Sequence, residues 1–96
     1  MSRGGQGLRI KPIRFTSHAN EKFLILARHG CHVERSQVLA ILAQPDVVTQ
    51  GHRGRRVAQG PLDQRHVLRV VFEEHENEFV VVTFFPARRD RYESQV

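Results

Sequence analysis

The sequence predicts one α+β domain, in which a two-helix hairpin packs on a mostly antiparallel sheet. Two helical patterns occur early in the chain, and four strand patterns follow them. Helices that are segregated from strands in this way are typical of α+β layer folds. A length of 96 residues suits a single domain, and a hydrophobic content of 40% suffices for one modest core. The predicted order of elements is β-α-α-β-β-β-β.

A strand and a helix are predicted first. The strand covers residues 10–16, where Pro12 favours an edge position because proline cannot donate a ladder hydrogen bond. Helical periodicity follows as far as Gly30, with an N-cap at Thr16 or Ser17. The apolar residues of this helix recur at helical spacing on one core-facing stripe, which is formed by Ala19, Phe23, Leu26 and Ala27.

A second helix and four strands complete the predicted fold. The helix covers residues 34–44 and ends before Pro45, because the residue preceding a proline avoids helical backbone. The strands, rich in Val, Phe and Thr toward the end of the chain, cover residues 46–50, 55–59, 66–73 and 78–85. Gly60 and Pro61 are expected to break the second of these strands, and Pro86 is expected to end the last.

The flanking segments and the cysteine content predict the bounds of the domain and its cellular compartment. Residues 1–9 predict a flexible lead-in and residues 93–96 a short tail, which leaves one domain over residues 10–92. No run of 18 apolar residues occurs, and the lead-in lacks the apolar stretch of a secretory signal. Cys31 is the only cysteine, which excludes an internal disulfide and a four-cysteine metal site. These observations predict a cytoplasmic protein that does not interact with membranes.

The positive charge is carried almost entirely by arginine. The chain has 15 Lys and Arg residues against 10 Asp and Glu, a net charge of +5, and only Lys11 and Lys22 are lysines. Arginine forks match phosphate geometry, and aromatic side chains stack on bases. Two clusters, one in the turn at residues 51–56 and one after the last strand, predict an RNA-binding set of Arg53, Arg55, Arg56, Arg88, Arg89 and Arg91. The alternative is a solvated surface that keeps a small domain soluble.

Three residues are candidates for catalysis: His18, Arg69 and Tyr92. His18 lies in the first turn of the first helix, where the helix dipole suits a proton-accepting imidazole; the alternative is a side chain that closes onto the neighbouring strand. Arg69 interrupts an apolar strand, so it reaches either a structural carboxylate or an anion in a groove. Tyr92 follows the last arginines. This set suits RNA cleavage, because the 2′-hydroxyl supplies the nucleophile and the protein aligns it, moves protons and stabilises the phosphate.

Metal binding is not predicted. The pair His29-x-x-His32 lacks a second pair at zinc-site spacing, so we expect no metal and no cofactor. The five histidines other than His18 are predicted to be solvated surface or loop residues: His29, His32, His52, His66 and His75.

Several short motifs carry a family resemblance. The pattern FTSHAxxK, a helix ending in RHG, a second helix closing with QPD, and the final VVTFFPARRDRY together resemble a small prokaryotic family of unknown function. That family is related to the RelE/ParE and BrnT toxins of type II toxin–antitoxin systems. The resemblance covers about Phe15 to Tyr92. It implies a two-helix hairpin against an antiparallel sheet, and a toxin that is silenced by a cognate antitoxin. By position, the recurring polar residues of the family match His18, Arg69, Arg88, Arg89 and Tyr92.

The leading hypothesis is therefore a metal-independent, RNA-cleaving toxin that inhibits translation, with RNA or the ribosome as its target. In it, Arg88 and Arg89 hold phosphates, Arg69 stabilises the transition state, and a histidine or tyrosine handles protons. Leu24 and Ile25 lie off the core-facing stripe and predict a partner or homodimer surface. Two alternatives stay open: a non-catalytic module that binds nucleic acid or an acidic partner, and a degenerate toxin relative that makes only protein contacts.

Overall fold

The protein folds into a five-stranded sheet with two helices on one face. The structure is a computed structural model and describes residues 11–92. In chain order the elements are β1 (Ile13–Phe15), α1 (Ser17–Arg28), α2 (Arg35–Ala43), β2 (Val47–Gln50), a 3₁₀ turn (His52–Gly54), β3 (Arg56–Pro61), β4 (His66–Glu74), β5 (Phe79–Arg88) and α3 (Arg89–Tyr92). The predicted α+β class and the order β-α-α-β-β-β-β are confirmed, and the short helix α3 is an addition at the end.

The sheet has the strand order β1-β5-β4-β3-β2. β1 pairs with β5 in parallel, with Ile13 opposite Phe79, and all other neighbours are antiparallel. β1 begins directly after Pro12 and lies at one edge, as the proline predicted. The last two strands of the sequence, β4 and β5, therefore lie with β3 in the interior of the sheet, between the edge strands β1 and β2.

Helix α1 begins with a side-chain cap and packs on β5. Thr16 Oγ1 accepts a hydrogen bond from the Ala19 N–H at 3.1 Å and donates one to the carbonyl oxygen of Val82, also at 3.1 Å, which fixes the helix start beside the sheet. The predicted stripe faces the core: Ala19 is fully buried, and the Phe23 ring centroid lies 4.6 Å from that of Phe84. The helix ends before Gly30, whose φ of 84° only glycine adopts without strain.

Two prolines and a glycine do not break strands where the sequence predicted that they would. β3 continues through Gly60 and Pro61, and β5 continues past Pro86 to Arg88. Gly60 lies beneath α2, where a Cβ would come within 2.6 Å of Ile41 Cγ1, so the glycine serves close helix–sheet approach. Pro86 is tolerated because β1 pairs only with residues 79–81, so among residues 11–92 the far part of β5 has no strand partner on that side.

The two faces of β4 differ as the alternation predicted. Leu68, Val70 and Phe72 face the helices and are fully buried in the main core. On the opposite face, Val67 is also fully buried, whereas Arg69 and Val71 are partly exposed. The alternation places Arg69 and His66 on opposite faces of the sheet.

Ion pairs neutralise three carboxylates, Glu73, Glu74 and Glu78, at one end of the sheet, called here the hairpin end (residues 51–56 and 73–78). Glu73 binds Arg55 at 3.0 Å, and Glu74 binds Lys11 at 2.9 Å and Arg56 at 2.8 Å. Hydrogen bonds from Arg55 lower the pKa of Glu73, and hydrogen bonds from Lys11 lower the pKa of Glu74. Arg14 acts in the same way on Glu78.

These pairs predict a loss of stability in acid that depends on Glu74. Because the folded-state pKa lies below the unfolded value of about 4.3, the ionised Glu74 stabilises the folded state above that pH. The contribution is lost as the pH falls through the folded-state pKa. We expect the drop in Tm between neutral pH and pH 3 to be smaller in Glu74→Gln than in the wild type. Glu76→Gln, at a position without an ion pair in residues 11–92, is the control and should behave as the wild type. An unchanged acid dependence in Glu74→Gln would contradict the assignment.

Candidate anion-binding site at the Asp63 end of the sheet

A hydrogen-bonded turn between β3 and β4 organises the other end of the sheet. Asp63 Oδ1 accepts the backbone N–H groups of Arg65 and His66, each at 2.8 Å. The N–H of Asp63 in turn donates to the carbonyl oxygen of His66 at 3.1 Å. An aspartate that bonds its own backbone two and three residues further on is a local device for fixing a tight turn. The turn therefore holds Asp63 and His66 in one defined arrangement.

The side chains of Asp63 and His66 form a pair. Nδ1 of His66 lies 3.0 Å from Oδ1 and 3.2 Å from Oδ2 of Asp63. The backbone N–H of Arg65, together with the His66 ring, lowers the pKa of Asp63, so this carboxylate is ionised at neutral pH. An ionised carboxylate only accepts hydrogen bonds, so Nδ1 is the donor. In the neutral ring this leaves the lone pair on Nε2, the arrangement of a histidine oriented as a general base.

Three arginines surround this pair. Arg65, Arg88 and Arg89 line a groove of about 420 Å³ together with Gln64, His66 and Asp90. The β4–β5 ladder places Arg88 directly opposite His66. A groove with these three guanidinium groups is suited to bind an anion, and phosphate in particular.

Arg88 and Arg89 differ in the contacts that their side chains make. Arg89 donates from Nε to the Asp63 carbonyl oxygen at 2.8 Å and from its backbone N–H to that of Arg65 at 2.9 Å, so it anchors the turn. Arg88 contacts Asp90 at 3.3 Å, and both side chains are about 70% exposed (69% and 71%). Such an exposed pair is worth ~1 kcal/mol at most, so a phosphate can take the place of Asp90.

A second groove, here called the loop groove, lies on the other side of His66. It has a volume of about 380 Å³ and is bounded by the link between α1 and α2 and by the ends of β3 and β5. His66 and Asp63 form part of its wall, and the other lining residues include His29, Cys31, His32, Gln37, Leu62 and Pro86. Burial raises the pKa of the Cys31 thiol, with the charge of Asp63 adding to the effect, so the thiol is protonated at neutral pH.

The structure separates the two predicted arginine clusters. Arg88 and Arg89 lie at the Asp63 end, and Arg91 follows them in α3. Arg53, Arg55 and Arg56 lie at the hairpin end, and the nine residues of β4 between the two ends span about 26 Å. Arg55 and Arg56 are engaged by Glu73 and Glu74 there, whereas Arg53 is exposed. One short RNA segment at the Asp63 end would not reach this second cluster.

The predicted catalytic residues are also spread apart. His18 is exposed in the first turn of α1, and the eleven residues to His29 at the loop groove correspond to about 16 Å of helix. Arg69 lies on the sheet face opposite the helices and donates from Nη1 to Oε1 of Gln59, a buried residue, at 2.5 Å. Tyr92 is the last residue of α3, three positions beyond Arg89. Both β4, which carries Arg69, and α3, which carries Tyr92, contribute residues to the arginine groove, but Arg69 lies on the sheet face opposite His66.

Sequence reasoning missed Asp63, Arg65 and His66. His66 was predicted to be a surface residue, and its side chain is 38% exposed, but its pairing with Asp63 was not predicted. The usable signal was the spacing Asp63-x-x-His66 in a turn that follows Gly60-Pro61, because an aspartate at the start of a turn bonds the next backbone N–H groups. The position of Arg88 directly opposite His66 has no such signal in the sequence, because it depends on the register of β4 and β5.

The surface predicted for a partner is exposed. Leu24 is 64% and Ile25 36% exposed on α1, so this surface is accessible to a partner. The antitoxin and the homodimer themselves stay predictions.

Within residues 11–92, no three His, Cys, Asp or Glu side chains are grouped so that they could hold a metal ion. None of the helices in the same range has the length and hydropathy needed to cross a bilayer. No family model, no curated protein and no solved structure matches the chain.

Proposed function

We propose that this protein is a toxin-like endoribonuclease that cleaves RNA with its own side chains, without a metal, and thereby inhibits translation. The observation that carries the proposal is the Asp63–His66 pair, held by a hydrogen-bonded turn beside three arginines. A histidine of fixed orientation next to a phosphate-binding groove is the minimum that RNA cleavage requires, since the substrate supplies the nucleophile. In this proposal His66 replaces His18 as the general base.

The proposed reaction begins with the 2′-hydroxyl of a nucleotide whose phosphate lies in the arginine groove. Nε2 of His66 takes the 2′ proton while the 2′ oxygen attacks the adjacent phosphorus. The bond between phosphorus and the 5′ oxygen of the next nucleotide breaks, and the leaving oxygen takes a proton from water. The imidazolium then returns its proton to solvent. The products are a 2′,3′-cyclic phosphate and a 5′-hydroxyl.

The arginines stabilise the charge that develops on the phosphate. Arg65 and Arg88 are exposed at the groove, and the Arg65 side chain forms no ion pair in the part of the chain that the structure describes. Both can therefore turn toward the equatorial oxygens of the phosphorane, where fixed cations stabilise the transition state. Arg89 contributes by anchoring the turn that carries Asp63. Arg69 lies on the other face of the sheet, so the transition-state role predicted for it passes to Arg65 and Arg88 in this proposal.

The biological part of the proposal comes from the sequence resemblance. A cognate antitoxin would silence the protein, and the exposed Leu24 and Ile25 on α1 offer an apolar contact for it. The target would be messenger RNA, either free or on the ribosome. Both statements are supported by the motifs that resemble the toxin families, and the basic groove agrees with them.

The test is cleavage of a defined single-stranded RNA by the purified protein, with the product ends identified. We expect a 2′,3′-cyclic phosphate and a 5′-hydroxyl as product ends. The cleavage rate should decrease by at least about tenfold in both Arg65→Ala and Arg88→Ala. Arg53→Ala, at the hairpin end, is the matched control and should cleave as the wild type. The salt dependence of RNA affinity should decrease by about one unit of log–log slope in each groove variant.

A different pattern would favour the non-catalytic module. Salt-dependent RNA binding that the groove variants weaken, without any cleavage product, would reject the ribonuclease and keep the anion-binding groove. Induced expression in a bacterial host adds the physiological readout: the proposal expects growth arrest by the wild type and relief by Arg88→Ala at matched protein levels.

A further inference from the structure

We infer that the loop groove is a nucleobase subsite, which binds one unpaired base of a single-stranded RNA. The inference rests on the proposed ribonuclease function, since that function places a phosphate beside His66. His66 lines both the arginine groove and the loop groove. A nucleotide whose phosphate contacts Arg65 and Arg88 and whose 2′-hydroxyl reaches His66 therefore has its base next to the loop groove.

The loop groove has the composition of a base-binding site. Leu62 and Cys31 are partly buried and pack against the main core, and with Pro86 they form an apolar floor. The imidazoles of His29 and His32 lie at the rim, and imidazole rings are among the groups on which RNA bases stack. Its volume of about 380 Å³ lies within the range of small-ligand sites.

Gln37 supplies a hydrogen-bond donor of fixed orientation. Its Oε1 accepts the backbone N–H of Glu34 at 2.7 Å, at the start of α2. This bond leaves the Nε2 amide group, with two N–H donors, to the groove that Gln37 lines. Every nucleobase has a carbonyl or ring-nitrogen acceptor on its Watson–Crick edge, and this edge is free only when the base is unpaired. A donor that contacts this edge therefore selects single-stranded over duplex RNA.

The ring of His29, at the rim of the loop groove, is also held in a fixed orientation. Its Nδ1 lies 2.8 Å from the Ile25 carbonyl oxygen, one turn earlier in α1, so the ring is held against the helix end. A rim with a fixed ring and a fixed amide loses little conformational entropy when a base enters, which favours binding. The arginine groove would thus supply affinity for any polyanion, and the loop groove would require a base.

The experiment compares two uncleavable probes of equal charge by fluorescence anisotropy. One is a fluorescein-labelled 2′-O-methyl hexauridylate, and the other is the same 2′-O-methyl ribose-phosphate hexamer without bases. We expect the wild type to bind the first probe at least about fivefold more tightly, the lower end of the effect of stacking one base. In Gln37→Glu the donor becomes an acceptor, while a glutamate at this position keeps the capping hydrogen bond, so the preference should shrink. Gln50→Glu adds the same charge at the hairpin end and should keep the preference.

Each outcome bears on a separate statement. Equal affinity for the two probes overturns the subsite, whether or not the protein cleaves RNA. A base preference that Gln37→Glu leaves intact places the base elsewhere and overturns the assignment of the loop groove. A base preference that depends on Gln37 supports the subsite, and if unmethylated RNA is not cleaved, the ribonuclease proposal alone is rejected.

Discussion

Replacing His66 with alanine is expected to slow RNA cleavage about 10²–10⁴-fold, while RNA affinity changes little. The loss follows from the proposed role of Nε2, which removes the 2′ proton as the oxygen attacks. Affinity is preserved because the cations that bind phosphate, Arg65 and Arg88, are untouched. The measurement is single-turnover cleavage at saturating protein, together with the Kd for an uncleavable 2′-O-methyl strand. A rate within a few-fold of the wild type would assign the base to another residue.

Asp63→Asn separates the role of the carboxylate from that of the turn. The amide oxygen can still accept the N–H groups of Arg65 and His66, so the backbone geometry is retained. The amide cannot supply the negative charge that stabilises the imidazolium, and its N–H₂ group favours the tautomer with the proton on Nε2. We expect a slower cleavage step and only a small decrease in Tm, because the amide keeps the backbone hydrogen bonds of the turn and loses only the charge. If this variant failed to fold, the main role of Asp63 would be to stabilise the fold and not to orient His66.

Gly60→Ala is expected to destabilise the fold by about 1–3 kcal/mol. The added Cβ would lie 2.6 Å from Cγ1 and 3.2 Å from Cδ1 and Cγ2 of Ile41, a buried and β-branched residue of α2. Because Ile41 has few alternative rotamers in a helix, the helix has to move away from β3 to relieve the contact. Urea unfolding, followed by circular dichroism, measures the change in the free energy of unfolding.

The matched control is a double-mutant cycle with Ile41→Ala. This substitution removes all three atoms that the new Cβ would meet, so the two changes together should cost less than the sum of their separate effects. Strict additivity, or a neutral Gly60→Ala, would show that α2 does not press on the strand at this position.

Most of the fold was predictable from local patterns, since each pattern reports its own element. The Thr16 cap, the apolar stripe of α1 and the alternation in β4 required no knowledge of distant residues. The failures were at Gly60-Pro61 and Pro86, where the sequence predicted breaks within or at the end of strands. There the tertiary context decided. Gly60 is required by its contact with Ile41, nineteen residues earlier on α2, and Pro86 is tolerated because β1 pairs only with residues 79–81 among the described residues.

The candidate site was predictable only in part. Arg88 and Arg89 follow the last strand, so their cluster was visible in the sequence. Arg55 and Arg56 looked alike in sequence, but the register of β3 on β4 places them against Glu73 and Glu74, which no local pattern shows. His66 becomes a candidate only through its turn and through its pairing with Arg88 across the sheet. Long-range register decided which of several similar residues share a groove.

The order of the strands has a consequence for how the chain acquires its structure during synthesis. Within residues 11–92, β1 pairs with β5 alone, and α1 packs on β5 more than on any other strand. In this part of the chain the first strand therefore has no ladder partner until residues 79–81 have been made. Arg88 and Arg89 come still later. A nascent chain would therefore have neither the five-stranded sheet nor the arginine groove until its residues through Arg89 have been made.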